Sequence, residues 1–279
     1  MSRTAVVTGG AGGIGLRLAE RLMARGYSLV LVDIDEGRLA QAASQLGPAT
    51  RTLQADLSSA DGQARVVGLL ESSDEVDLLV NGAGIIKPGA VTDLPYEDME
   101  RHIAINLLAP MRLSQAAARA FVARRSGCIL SLVSAAGLVA LPGSAAYSAS
   151  KFGLRGFLIA LSQEVSSSGV KVRGVFPGAV DTPMLRYEAT HGGSVLNFLN
   201  KDVLSADEVA DACLRAIDGK RLETHVPVKD GLSARLLCAM PGLMPKVLPY
   251  LQKQGEVGLQ RFLKSRGLSV ERFPGPASR

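Results

Sequence analysis

The sequence predicts a single doubly wound α/β domain built on a mostly parallel sheet. The chain has 279 residues, of which 47% are apolar and 20% are charged, so it can bury a sizeable core. Short strand-like runs alternate strictly with amphipathic helical stretches. Because the strand-like runs are almost continuously apolar, they indicate parallel strands that are covered by helices on both faces.

Seven runs rich in β-branched and apolar residues define the predicted strands. They cover residues 4–8, 28–32, 50–54, 76–80, 128–133, 170–176 and 223–228. Helices are predicted between them over residues 14–25, 37–46, 62–71, 96–123, 146–168 and 206–218. Ser205 directly precedes the last of these helices and is a good N-cap. This alternation predicts one seven-stranded sheet.

Positive charge is concentrated near the C-terminal end. Residues 229–279 contain nine basic and three acidic residues, whereas the remainder contains 22 basic and 23 acidic residues. We therefore divide the chain into a domain over residues 1–228 and a basic C-terminal extension over residues 229–279. The extension mixes apolar and basic side chains, and three interpretations are open: a lid over a cleft, a contact between subunits, or an element lying on a membrane surface.

Cysteine usage and the start of the chain bear on location and partners. Cys128, Cys213 and Cys238 are far apart and lack CxxC spacing, so neither a disulfide framework nor a zinc site is indicated. Met1 is followed closely by an apolar strand, without the charged and apolar regions of a signal peptide. We expect a cytoplasmic protein with no metal and no nucleic-acid partner.

A glycine-rich turn follows the first predicted strand. It reads Thr8-Gly9-Gly10-Ala11-Gly12-Gly13-Ile14-Gly15 and leads directly into a helix. Glycine lets a backbone turn tightly and approach a ligand closely, and the free N–H groups of a helix N-terminus attract phosphate. Between a strand and a helix, this pattern indicates a Rossmann-type site for the pyrophosphate of a dinucleotide.

Two acidic residues follow the next two strands. Asp33 lies 18 positions after Gly15, close to the spacing expected for a carboxylate on the adenosine ribose. It would accept hydrogen bonds from the ribose hydroxyls and repel a 2′-phosphate. NAD is therefore favoured over NADP, although Arg38 is close enough in sequence to fold back. Asp56 is placed to meet the adenine edge or, alternatively, to cap the next helix.

Further motifs follow the later strands. Asn81-Gly82-Ala83-Gly84 follows the fourth strand, Ser134 follows the fifth, and Tyr147 and Lys151 form a YxxxK motif. Together with the glycine turn, these motifs resemble the short-chain dehydrogenase/reductase family over roughly residues 4–228. The second Asn of the family's NNAG motif is Gly82 here. The resemblance implies a nicotinamide-dependent oxidoreductase that forms homodimers or homotetramers.

The resemblance also implies roles for individual residues. The implied catalytic set is Asn106, Ser134, Tyr147 and Lys151. The implied cofactor contacts come from the glycine turn, the following strand ends and the segment after the sixth strand: Thr8, Gly9, Gly13, Ile14, Gly15, Asp33, Asp56, Leu57, Asn81, Ala83, Gly84, Tyr147, Lys151, Pro177, Gly178, Val180 and Thr182.

The YxxxK pair offers a reason why tyrosine could act as a base. An alcohol gives up a hydride readily only if its proton leaves too, and the ordinary pKa of tyrosine is about 10. Lys151 lies one helical turn from Tyr147, so its ammonium and the cationic ring of NAD⁺ are expected to lower that pKa. Ser134 is expected to hold the substrate oxygen. By resemblance, Asn106 orients a water that links Lys151 to solvent.

The segment over residues 183–203 is expected to form the substrate side of the site. Its apolar residues predict an apolar alcohol or carbonyl substrate and are Met184, Leu185, Tyr187, Leu196, Phe198 and Leu199, with Ile86, Val139 and Leu141 expected in the same cleft. Two rival functions are an NADPH-linked carbonyl reductase and a dinucleotide-sensing regulator without catalysis. The intact catalytic set argues against the regulator, whereas the fold alone would not.

Overall fold

Seven parallel strands form the sheet that the sequence predicted. The computed structural model describes residues 3–72, 75–200, 202–228, 242 and 244–269. The strands are β1 Arg3–Thr8, β2 Tyr27–Asp33, β3 Thr50–Gln54, β4 Val76–Asn81, β5 Gly127–Leu132, β6 Val170–Pro177 and β7 Glu223–Val226. They lie in the order β3-β2-β1-β4-β5-β6-β7, and every neighbouring pair is parallel. The order reverses between β1 and β4, which places a ligand crevice beyond their carboxyl ends.

Helices cover both faces of this sheet. They are α1 Gly13–Ala24, α2 Glu36–Leu46, α3 Ala60–Ser72, α4 Tyr96–Ile103, α5 Ala109–Ala123, α6 Ala145–Glu164, α7 Pro183–Thr190, α8 Ala206–Asp218 and α9 Met244–Arg266. Helices α1, α2 and α8 share one buried apolar cluster with the sheet, and α3, α5 and α6 share the other. Ser205 caps α8 in a reciprocal capping box with Glu208, as its position predicted.

The helix predicted over residues 96–123 is interrupted by one wide turn. Residues Ala104–Leu108 form a π-helical turn between α4 and α5. Pro110 explains the interruption, because proline has no N–H to donate to the Asn106 carbonyl four residues earlier and its ring crowds that carbonyl. Wide turns of this kind often occur at functional sites, and this one contains the predicted catalytic residue Asn106.

The C-terminal extension contributes a long helix that packs beside the substrate segment. Helix α9 lies against the 3₁₀ turn Val195–Phe198, and Phe262 packs on Phe198 with 5.1 Å between ring centroids. Arg266 pairs with Asp181 at 2.7 Å. Residues 229–241, 243 and 270–279, including Cys238, lie outside the described residues. Among the helices that the structure describes, none is both long enough and apolar enough to cross a membrane.

Candidate active site

The glycine turn and the loop after β4 are packed directly against each other. Thr8 Oγ1 accepts hydrogen bonds from the Gly82 amide at 3.1 Å and the Ala83 amide at 3.2 Å. Gly9 has a positive φ of 65°, and a Cβ there would lie 2.9 Å from the Ala83 backbone. Thr8 and Gly9 therefore fix the distance between the two loops that form the crevice.

The start of α1 has the features of a pyrophosphate site. No side chain caps this helix, so its first N–H groups are left without a side-chain partner. A Cβ at Gly15 would overlap the Gly9 carbonyl, which means that only glycine lets α1 begin this close to the turn. Across the crevice, the nearest atom to a Cβ on Gly13 would be the Thr182 methyl group at 3.3 Å. These residues fit the dinucleotide that the glycine pattern predicted.

Asp33, the residue predicted to bind the adenosine ribose, lies at the end of β2. Its Oδ1 accepts a hydrogen bond from the Asp35 amide at 3.3 Å and lies 3.5 Å from the Arg38 guanidinium. Arg38 therefore does fold back, as the sequence allowed, but it also pairs with Asp35 at 3.0 Å. Asp56 accepts hydrogen bonds from the Ser58 amide and hydroxyl, which lower the pKa of Asp56, so its carboxylate closes the turn before α3.

Three of the predicted catalytic residues line one cavity. Ser134 follows β5, while Tyr147 and Lys151 lie one turn apart on α6, and all three face the same space. Lys151 Nζ donates a hydrogen bond to the Leu132 carbonyl at 3.0 Å and lies 5.6 Å from the centre of the Tyr147 ring. Tyr147 and Ser134 are joined by a hydrogen bond between their side chains. The arrangement presents two hydroxyl groups side by side to a ligand oxygen.

The two predicted asparagines are both buried and have different environments. Asn106 exchanges hydrogen bonds with the backbone of Ile85 at 2.9 and 3.0 Å and donates to Ser150 at 3.3 Å. A Cβ on Gly84 would lie 3.3 Å from Asn106 Oδ1 and 3.8 Å from Lys151 Nζ, so these three residues meet at one point.

The Asn81 amide is directed into the domain rather than into the crevice. Its Nδ2 donates to Ser114 at 3.0 Å and to Ser131 at 3.2 Å, which ties β4 to α5 and β5. Leu57, which was expected at the cofactor, is 7% exposed and belongs to the apolar core. Both residues support the crevice from behind.

The ionisation of the YxxxK pair differs from the sequence expectation. We expected Lys151 to lower the pKa of Tyr147. Instead, burial raises the pKa of Tyr147 above its ordinary value, Glu188 raises it further, and the hydrogen bond with Ser134 lowers it only in part. Burial also lowers the pKa of Lys151 to about 8. The expected lowering is not found in this structure, where loss of hydration is the largest influence on the pKa of both groups.

The segment after β6, which holds predicted cofactor contacts, lines one side of the cavity. The Gly178 amide donates to the Val226 carbonyl at 2.8 Å, and Val180 pairs with Leu204 in an isolated parallel bridge. Thr182 Oγ1 accepts a hydrogen bond from the Leu185 amide at 3.4 Å and thereby caps α7. Pro177, Gly178, Val180 and Thr182 all line the cavity.

A cavity of about 720 Å³ lies above the catalytic side chains. Its expected apolar lining is found at Val139, Leu141, Met184, Leu185, Leu196 and Leu199. Three other expected residues lie elsewhere: Ile86 is buried, Tyr187 stacks on His191, and Phe198 packs on Phe262. Helix α9 completes the wall with Met244, Val247, Tyr250 and Leu251.

Sequence reasoning missed a carboxyl group in this wall. Glu188 on α7 lines the cavity, is 7% exposed and accepts a hydrogen bond from Asn197 at 3.1 Å. Burial raises its pKa to about 7. The sequence did contain a signal for this residue. Glu188 lies three positions after Leu185 and four after Met184, so on a helix it shares their apolar face.

Replacing Glu188 with Gln is expected to stabilise the fold above pH 7. The unfolded carboxyl ionises near 4.5 and the folded one near 7, so the wild-type free energy of unfolding falls as the pH rises through this window. The full difference corresponds to about 3 kcal/mol at pH 8 and vanishes toward pH 4. Thermal unfolding of both proteins between pH 5 and pH 8 measures it. Glu256→Gln on the exposed face of α9 is the control, and an equal gain at both pH values would contradict the prediction.

Comparisons with known proteins identify the family of this chain. A family model described as short chain dehydrogenase matches residues 3–192. A curated relative, an uncharacterised oxidoreductase from Staphylococcus epidermidis, is 32% identical over 218 residues, covering 77% of this chain and 90% of the relative. The chain belongs to the short-chain dehydrogenase family, and it is an oxidoreductase that acts on CH–OH or carbonyl groups with a nicotinamide cofactor.

Two solved structures are similar over most of the chain. A short-chain dehydrogenase from Sphingobium yanoikuyae in complex with NADPH has a TM-score of 0.76 and 33% identity, covering 87% of this chain and 95% of that one. The bulky-bulky ketone specific alcohol dehydrogenase from Comamonas testosteroni has a TM-score of 0.74 and 30% identity, with 87% and 94% covered.

Proposed function

We propose that this chain is an NAD-dependent dehydrogenase of bulky, largely apolar secondary alcohols that also reduces the matching ketones. The observation that carries the proposal is the cavity of about 720 Å³, in which Ser134, Tyr147 and Lys151 lie below mostly apolar walls. That volume includes the space beside Gly84 and Gly178 that a bound nicotinamide would share with the substrate, and it is in the range of pockets that enclose a whole small molecule. The similarity to an alcohol dehydrogenase described as specific for bulky-bulky ketones supports the same substrate class.

The hydroxyl groups of Tyr147 and Ser134 handle the substrate oxygen. During ketone reduction Tyr147 donates its proton to the oxygen, and during alcohol oxidation it accepts one. Its raised pKa keeps the phenol protonated near neutral pH, which is the form that donates a proton during reduction; during alcohol oxidation it must first lose that proton. Ser134 positions the oxygen and stabilises charge that develops on it. A bound nicotinamide supplies or accepts the hydride at the carbon.

Lys151 and Asn106 are proposed to return the proton to solvent. With a pKa of about 8, Lys151 can lose and regain a proton near neutral pH. It meets Asn106 and Gly84 at one point, which places a polar amide beside the buried amine. We propose that Asn106 holds the water through which Lys151 exchanges its proton.

The proposed preference for NAD rests on Asp33. Its carboxylate ends β2 at the adenosine side of the crevice, where it can accept hydrogen bonds from the ribose hydroxyls and repels a 2′-phosphate. A specific observation favours NADP as the second candidate: Arg38 lies 3.5 Å from Asp33, and a structural neighbour is described as a complex with NADPH. Two carboxylates, Asp33 and Asp35, already neutralise this arginine, so we place NAD first.

One experiment tests substrate class and cofactor together. Purified protein is incubated with a panel of small and bulky secondary alcohols and either NAD⁺ or NADP⁺, and the absorbance of the reduced cofactor is followed. We expect turnover of bulky alcohols with NAD⁺. Turnover with NADP⁺ alone would replace the first candidate with the second. Cofactor binding with no turnover of any alcohol or ketone would favour the non-catalytic regulator.

Helix α9 is proposed to act as a lid over the cavity. It approaches the 3₁₀ turn through Gly255 and Gly258, where a Cβ would overlap the carbonyls of Val195 and Phe198 respectively. We expect Gly258→Val to push the helix away and to raise the KM for bulky substrates about tenfold, since one well-buried apolar contact contributes about 1.5 kcal/mol.

The matched control for the lid is Gly68→Val on α3. A Cβ at Gly68 meets no atom within 4 Å, so the same substitution leaves α9 in place. Steady-state kinetics on one small and one bulky alcohol separates the two variants. If Gly258→Val leaves the KM of the bulky substrate unchanged, α9 is not a lid, and a contact between subunits or with a membrane surface takes precedence.

A further inference from the structure

The cavity contains one buried carboxyl group that the proposed hydride transfer does not use. Glu188 lies on α7 and faces the same space as Ser134 and Tyr147. Its electric field reaches the reacting centre, because it raises the pKa of Tyr147. Glu188 is therefore close to the substrate and belongs to the substrate side of the site rather than to the cofactor side.

Within the described part of the chain, the Glu188 carboxyl is only partly satisfied. Asn197 Nδ2 donates to Oε1 at 3.1 Å, and no hydrogen bond to Oε2 and no ion pair to this carboxylate is found there. A carboxylate can accept about four hydrogen bonds. The neighbouring walls of the cavity are apolar, with Leu185 and Leu196 beside it, so the protein offers little to replace lost water.

A buried carboxyl group of this kind lowers the stability of the fold. Burial of an ionisable side chain without a counter-ion destabilises the fold, and burial is the largest cause of the raised pKa of Glu188. An apolar residue at this position would extend the wall and avoid that cost. Perturbed groups of this kind cluster at sites where a ligand supplies the missing partner.

We propose that Glu188 determines substrate specificity by binding a hydrogen-bond donor on the substrate, a hydroxyl or a protonated amine, away from the reacting carbon. This inference rests on the proposed function. Ser134 and Tyr147 hold the reacting oxygen at one point, and Glu188 holds a second point on the same molecule. Two polar anchors on an otherwise apolar substrate fix which face of the carbonyl is presented to the cofactor.

Three matched ketones test whether Glu188 binds a second polar group of the substrate. They share one bulky skeleton and carry a hydrogen, a hydroxyl or a primary amine at the same remote position. We expect wild-type protein to favour the hydroxyl or amine compound over the plain one by about 10-fold to 100-fold in kcat/KM, because the site otherwise leaves its carboxyl unpaired. Comparison of kcat/KM for the amine and the hydroxyl ketone identifies which hydrogen-bond donor Glu188 binds.

Two substitutions of Glu188 separate recognition from a structural role. Glu188→Gln keeps an acceptor for Asn197 and removes the charge, so it is expected to abolish a preference for the amine and to retain much of one for the hydroxyl. Glu188→Leu removes both and is expected to bring the ratio close to one. If Glu188 only braces the turn over residues 195–198, Glu188→Leu lowers kcat/KM by the same factor for all three ketones, and Glu188→Gln, which keeps the bond to Asn197, leaves it largely unchanged. That outcome overturns the inference.

Tyr187, the residue next to Glu188, provides the matched control. Measurements of ketone binding distinguish a failure of the proposed function from a failure of the inference on Glu188. Tyr187→Phe alters the same helix at a side chain that stacks on His191 outside the cavity lining, and it should leave the ratio unchanged. Calorimetric dissociation constants of the three ketones, measured without reduced cofactor, do not depend on turnover. Absence of turnover with Glu188-dependent binding contradicts the proposed function alone. Turnover and binding that do not depend on Glu188 contradict the inference alone.

Discussion

Replacing Tyr147 with Phe is expected to lower kcat by about 10²-fold to 10⁴-fold, the usual contribution of a positioned general acid or base. The substitution removes only the hydroxyl group, and the ring continues to fill the same half-buried place on α6 at the cavity. Ser134 can still bind the substrate oxygen, but no correctly positioned acid or base remains to exchange a proton with that oxygen. The KM should change little, because the loss falls on the transition state.

Cofactor binding and a second tyrosine make the Tyr147 test specific. The glycine turn and Asp33 lie on other elements, so the dissociation constant for NAD⁺ should stay within about twofold in Tyr147→Phe. Tyr250→Phe removes a hydroxyl from the α9 wall of the same cavity, where it meets Gln254, and should retain most of the activity. Retention of wild-type turnover in Tyr147→Phe would remove this residue from the reaction.

The fold was predictable because its signals are local and repeated. Each strand is a short apolar run, and each crossover has helical periodicity, so the order of elements could be derived residue by residue. The turn at Gly9 to Gly15 was equally local: Gly9 has a positive φ, and a Cβ at Gly9 or Gly15 would overlap neighbouring backbone. Where a feature depends on a single turn and the strand before it, its geometry could be predicted from the sequence.

The parts that could not be predicted depend on contacts between distant segments. Helix α9 lines the cavity because Gly258 fits closely onto the Phe198 backbone, 60 positions away, whereas composition alone left three interpretations of the extension open. The raised pKa of Tyr147 depends on how fully α6 and α7 exclude water, which the YxxxK spacing does not encode. The environment of Asn81 also depends on a distant segment, because its motif did not indicate that its amide donates to Ser114.

Replacing Asp33 with Ala is expected to shift cofactor preference toward NADP by about 100-fold or more in the ratio of kcat/KM values. The variant loses up to two charge-assisted hydrogen bonds to the ribose hydroxyls, each contributing about 1.5 to 3 kcal/mol, so NAD binding weakens. It also removes the charge that repels a 2′-phosphate. Arg38, which now lies 3.5 Å from Asp33, is freed from one of its two acidic partners and can pair with that phosphate.

Asp35→Asn is the matched control for Asp33→Ala. It removes a negative charge from the same loop and from the same arginine, and its side-chain oxygen can still cap α2 by accepting from the Arg38 amide. Dissociation constants for NAD⁺ and NADP⁺, with kcat/KM for each, should move little in this variant. If both substitutions shift the ratio equally, the net charge of the loop sets the preference. If neither shifts it, the ribose is recognised elsewhere in the crevice, and the argument for NAD from the position of Asp33 at the end of β2 fails.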